Sequence, residues 1–171
     1  MSQILLRSVR LAVDGRLVGV SLPYGVDGTV RDGSGAPYVE RFAPGVFARS
    51  LAERGAKVKL FSGQEGRAVP IGGAAAKLEE SATELFAAFP VAEGQQGDEA
   101  LARIAAGAEG VLAFRPVQDR REGDVLVRAE AALVDVRVLD EADSAPRHVV
   151  SRATAERRLR LLDLELGVAS W

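Results

Sequence analysis

The sequence predicts an α+β domain that is mainly β: an antiparallel β-barrel flanked by helices, with a C-terminal helix. Three observations predict it. About seven or eight segments are apolar or alternate with period two, bounded by Gly, Pro and Asp turns. Two stretches of helical period, with their own start and stop residues, interrupt them. An amphipathic stretch with Leu159, Leu162 and Leu166 aligned closes the chain.

Ile4 to Val13 and Arg16 to Tyr24 read as two antiparallel strands joined by a tight turn at Asp14-Gly15. The glycine-rich run Gly25 to Pro37 reads as a mobile loop. Pro44 suits a first helical turn and Gly55 a left-handed helix end. Between them Phe47, Ala48 and Leu51 share a face, leaving Arg49, Glu53 and Arg54 in water. Lys57 to Phe61, Val69 to Leu78 and Glu84 to Val91 follow as extended pieces, with a loop from Ser62 to Ala68. Asp98 can cap a second helix through Ala106, with Leu101, Ile104 and Ala105 on one stripe and Gly107 ending it.

Gly110 to Val117 and Asp124 to Leu139 read as strands around a charged turn, Gln118 to Gly123. In the second, Val125 and Val127 lie on one parity and Val134, Val136 and Val138 on the other, which predicts a bulge or bend near Ala131-Ala132. Asp140 to Pro146 is a polar turn and Thr154 to Leu166 the terminal helix. With 171 residues, 47% of them hydrophobic, the chain can bury one sizeable core. Residues 1–152 are therefore expected to form the barrel with two embedded helices, and 153–171 a helix and tail of the same domain.

The chain has 22 basic and 24 acidic side chains, a balance that offers no bulk attraction to nucleic acid or membrane. It has no cysteine, which excludes disulfides and thiolate chemistry, and no stretch is apolar enough to span a bilayer. The sequence holds no cofactor motif: Gly72-Gly73-Ala74-Ala75-Ala76-Lys77 lacks the second glycine and the Ser/Thr of a P-loop. Asp140, Glu141 and Asp143 lack EF-hand spacing, so no metal is expected. Arg152, Arg157, Arg158 and Arg160 read more simply as the charged face of an amphipathic helix than as a nucleic-acid contact.

Glu40 to Leu51 reads Glu-x-Phe-x-Pro-Gly-x-Phe-x-x-Ser-Leu and leads into a Val58-Lys59-Leu60 strand. This resembles the amino-terminal signature of the tailed-phage prohead (capsid maturation) serine proteases, and the similarity extends more weakly from about Gly15 to about Val150. The resemblance implies a herpesvirus assemblin-like barrel. It also implies partners, namely capsid protein or its scaffolding segment and further copies of the chain, and a place in the host cytoplasm or within the procapsid.

The resemblance also says where a catalytic set would lie. A serine protease needs a hydroxyl nucleophile, a base and a group that orients the base. Aligning the Val58 strand and the Pro70-Ile71-Gly72 turn puts Gln64 at the family's histidine and Glu65 at its acidic neighbour. Anchoring on Phe114-Arg115-Pro116 puts Val111 at the serine, and the Val134 to Val138 strand puts Asp135 at the third position, with Arg137 two residues on. An amide and a branched hydrocarbon can do neither job, so the chain is expected to be a pseudoprotease that acts by binding. Two alternatives stand beside it: an active protease with a rearranged set, drawn from Ser62, Glu65 and His148, and a structural part of a tail-like particle. For His148 a strand-end histidine, and for Asp135 with Arg137 an intrastrand ion pair, are the simpler readings.

Overall fold

The structure, a computed structural model, describes residues 3–63 and 68–139. The predicted C-terminal helix, the polar turn before it, and Gln64, Glu65 and His148 lie outside the described residues. Ten strands form one sheet: β1 (Leu5–Asp14), β2 (Leu17–Pro23), β3 (Gly28–Arg31), β4 (Pro37–Phe42), β5 (Lys59–Ser62), β6 (Val69–Ala74), β7 (Lys77–Glu80), β8 (Glu84–Pro90), β9 (Gly110–Glu122) and β10 (Val125–Val138). The helices are α1 (Ala48–Arg54), continued by a 3-10 turn Gly55–Lys57, and α2 (Gln95–Ala105). No helix among the described residues is long and apolar enough to cross a membrane.

The chain is mainly β with few helices, as its periodicities predict, but the sheet is mixed rather than antiparallel. Its order is β3-β4-β10-β9-β1-β2-β8-β7, and β10 also pairs with β5, which pairs with β6. Both β4 and β5 run parallel to β10, at Val125–Arg128 and Val136–Val138 respectively. Of the expected closed or partly closed barrel, full closure by strand pairing is not seen among the described residues: β3 and β7 end the main ladder, and β6 pairs only with β5. At Gly72 the backbone of β6 instead closes on the end of β8, where an added Cβ would stand 2.1 Å from the Pro90 carbonyl oxygen. Only a residue without a side chain fits there.

The parallel arrangement explains the Pro-Gly segment. β4 leaves β10 at Arg128 and β5 joins it only at Val136, so the intervening stretch needs other partners for its backbone donors. Gly45, with φ +81°, turns the chain back toward the sheet, and the Val46 carbonyl accepts the Ala131 N–H at 2.9 Å. The buried Ser50 hydroxyl accepts the Leu133 N–H at 2.8 Å. The segment is a plug in the ladder. Phe47 on its inner side is fully buried, whereas Ala48 is exposed. Gly55 does not close α1 in the left-handed region; its φ of −52° carries the helix into the 3-10 turn.

Four other expectations shift. The hairpin turn is Gly15-Arg16, since Asp14 pairs with Leu17. The glycine-rich run contains β3, because Val30 is buried and the Asp32 carboxylate gathers Ser34 and Ala36 N–H groups into a tight turn. Gln118 to Glu122 is strand, not turn: Val125 pairs with Glu122, so the connection is only Gly123-Asp124. α2 starts at Gln95, where Asp98 does not cap; it pairs with Arg16 instead. Its end closes as predicted on Gly107, with Ala108 N–H donating to Arg103 C=O and Gly107 N–H to Ile104 C=O.

The alternation of β10 inverts twice. Leu133 and Val136 both enter the main core because Val134 is an extra residue between Leu133↔Phe114 and Asp135↔Ala113. Arg128 and Ala131 both face Phe114's side across a second irregularity, at Glu130. The expected bend near Ala131-Ala132 is thus flanked by register shifts on both sides of Glu130 and at Val134. Within the core Phe114 packs edge-on to Phe42 at 5.3 Å and to Phe47 at 6.4 Å.

Candidate functional site

Of the six candidate catalytic residues, Ser62, Val111 and Asp135 are described. Val111 on β9 stands opposite Arg137 of β10 and Ser8 of β1, and Ala113, one rung along, stands opposite Asp135. Directly paired residues share a face. Ser8, Val111, Arg137 and Asp135 therefore form one patch on the face away from Leu112 and Phe114, which lie in the main core. The structure thus places Val111 and Asp135, two positions that the resemblance singles out, on one patch.

Asp135 is engaged at both oxygens by one guanidinium. Arg137 donates Nε–H to Oδ1 at 2.9 Å and Nη2–H to Oδ2 at 3.2 Å, with the side chains 8% and 14% exposed. The intrastrand ion pair forms as the spacing predicts. Val111 is 1% exposed, and the Ser8 hydroxyl beside it is buried without a hydrogen-bond partner among the described residues. Ser8 and Arg137 flank β9 on opposite sides, so their strands are separated by about twice the 4.8 Å interstrand spacing. Among the described residues the patch holds a hydroxyl, a hydrocarbon and a closed ion pair. It holds no imidazole to take a proton.

Ser62 lies elsewhere. It pairs with Val138, so it belongs to the core-facing row, and Arg103 of α2 donates Nη2–H to its hydroxyl. Ser62 and Asp135 face opposite sides of the sheet. No group of three or more His, Asp or Glu side chains among the described residues could hold a metal ion.

The most strongly organised polar site is a buried layer on the opposite face of the sheet from the Val111 patch, on the side of Leu112 and Phe114. Glu40, fully buried, accepts Nε–H and Nη2–H from Arg7, the latter at 2.8 Å, and Nε–H from Arg128 at 2.6 Å. Arg128 also donates to Asp119 at 2.6 Å. Both guanidinium carbons sit over the Phe114 ring, 5.5 and 5.8 Å from its centroid. The Tyr38 hydroxyl accepts from Arg7 at 2.7 Å and from Arg128 at 3.3 Å. Two arginines and two carboxylates make the layer neutral, with every charge paired.

Burial opposes ionisation of Glu40, but hydrogen bonds and charge from Arg7, then Arg128, outweigh it and hold its pKa below the usual glutamate value. A depressed folded-state pKa contributes stability that is present above the unfolded value of about 4.3 and is lost as pH falls through the folded value. Urea midpoints are accordingly expected to fall as pH drops below about 4.3 in the native chain, and to fall less steeply in Glu40→Gln. Equal slopes would place the acid sensitivity elsewhere.

Glu40 opens the signature, but its pairing is not legible in the sequence. A glutamate inside a strand, two residues from Tyr38 and from Phe42, is the available signal, but Arg7 and Arg128 are 33 and 88 residues away. Nothing in the sequence marks Ser8, one polar residue in an alternating strand.

No protein-family model and no curated protein matches the chain. Among solved structures, the bacteriophage T4 capsid assembly protease, gp21, is similar in fold, with a TM-score of 0.52 at 12% identity, over 80% of this chain and 96% of that one.

Proposed function

We propose that this chain is a prohead-protease-like component of a phage or prophage capsid assembly system, and that it binds capsid protein or its scaffolding segment without cleaving it. The capsid-assembly role rests on the fold it shares with a structure described as a capsid assembly protease. The binding-only role rests on one observation: Val111, at the position the signature aligns with the nucleophile, is a buried hydrocarbon beside a carboxylate already closed onto Arg137. Acyl transfer needs a hydroxyl within reach of a base, and neither supports the other in that patch.

Two measurements test the two halves separately. Co-expression with the capsid protein of the neighbouring gene is expected to give co-elution on size exclusion, and its absence removes the assembly role. A serine-directed fluorophosphonate is expected to leave the protein unlabelled. Stoichiometric modification of one serine, Ser62 or Ser8 above all, would make it an active protease with a rearranged set.

A further inference from the structure

We propose that the cleft above the buried Arg7–Glu40–Arg128 layer is a docking site for an extended acidic peptide, remote from the Val111 patch. The proposal stands apart from the function argued above, because it concerns another end of the sheet and needs no capsid protein to test it.

β1 pairs with β9 only from Leu5↔Phe114 to Val9↔Gly110. Beyond Phe114, β9 runs on from Arg115 to Glu122 with β10 on one side and, among the described residues, no strand on the other. That is an open backbone edge, the feature to which an extended peptide adds as a further strand. Val111 and Arg121 are ten residues apart on β9, roughly 33 Å at strand rise, so this edge is not the Val111 patch.

Beside the edge lies a cleft of about 570 Å³, whose walls include Arg7, Arg31, Tyr38, Arg121 and Leu126. Its chemistry selects an anion. Arg7 is committed to Glu40, but Arg121 makes no ion pair among the described residues, and Arg31 donates only to the Gly35 carbonyl, at 2.8 Å. Against these two arginines stands Asp32, whose Oδ1 already accepts from Ser34 and Ala36. Tyr38 adds a directed donor. Its oxygen accepts from two guanidiniums that have no acceptor lone pairs to offer, so its own proton is available, and no acceptor for it is found among the described residues.

The same features favour a peptide over nucleic acid. A phosphate backbone is held by many cations at once, whereas this cleft presents two arginines without ion pairs among the described residues, beside the carboxylate of Asp32, on a chain of net charge −2. One or two carboxylates on a strand-forming peptide match both the charge and the open edge. The neutral, fully paired layer beneath gives the site a rigid floor.

The test uses the full chain and a dye-labelled peptide of about eight residues alternating Glu with Thr, a length matched to the open edge. Fluorescence anisotropy is expected to show saturable binding that weakens at least about tenfold in Arg121→Glu and again in Arg31→Glu. Both side chains are exposed, and circular dichroism of the variants is expected to stay native. A Lys-for-Glu peptide is expected not to bind. Absence of saturable binding, affinity unchanged in both variants, or tighter binding of a single-stranded oligonucleotide than of the peptide at the same salt would each overturn the proposal.

Discussion

Glu40→Ala is expected to lower stability by about 3–5 kcal/mol, the loss typical when one partner of a buried ion cluster is removed. The residue is fully buried and both its oxygens are bonded, to Arg7 and Arg128, whose side chains are each 5% exposed. Taking the carboxylate away leaves two guanidiniums in a site that water cannot easily reach, with only Asp119 to balance them. Much of the cost is the penalty on the charges left behind rather than the worth of the bonds lost. Replacing all three residues by Met, Leu and Met is therefore expected to recover most of the stability that Glu40→Ala loses. Urea unfolding of the single and triple variants checks this. A triple variant as unstable as the single one would mean that the layer contributes attraction well beyond its own desolvation.

Phe114→Ala is expected to cost a similar 3–5 kcal/mol, for a different reason. Phe114 is fully buried, touches Phe42 and Phe47 edge-on, and offers one ring to both guanidiniums of the layer. Truncation opens a cavity at the junction of apolar core and polar layer and withdraws the ring face from two cations. Phe114→Leu keeps much of the volume and is expected to cost clearly less, with the cation–π share, about 1 kcal/mol, remaining lost. Denaturant melts of the two variants separate these terms. If the leucine variant is as unstable as the alanine variant, the ring face and not the volume carries the cost.

The strands that packed well locally were the ones legible in the chain. Val18, Val20 and Leu22, or Leu85 to Phe89, announce buried strands because apolar residues crowd between turn residues. Gly107 ends α2 because a left-handed residue is needed there and glycine supplies it at no steric cost. The misread segments were those where a distant partner overrode a local signal. Gln118 to Glu122 is charged like a turn, yet it is strand because β10 lies beside it with a two-residue connection. Gly25 to Pro37 is polar like a loop, yet β4 recruits four of its residues as β3. Asp98 stands where a cap would, but Arg16, 82 residues earlier, takes its carboxylate.

The candidate site divides in the same way. A valine where a nucleophile would stand, and an arginine two residues from an aspartate, could be read from the chain, because residue identity and strand periodicity are local properties. That Val111 and Asp135 share a patch, that Ser62 faces the opposite side from Asp135, and that Arg7, Glu40 and Arg128 form one layer under an open cleft were decided only by tertiary structure. The reason is physical: strand register and parallel pairing depend on which distant backbone groups satisfy one another, and one extra residue such as Val134 reverses every side chain beyond it.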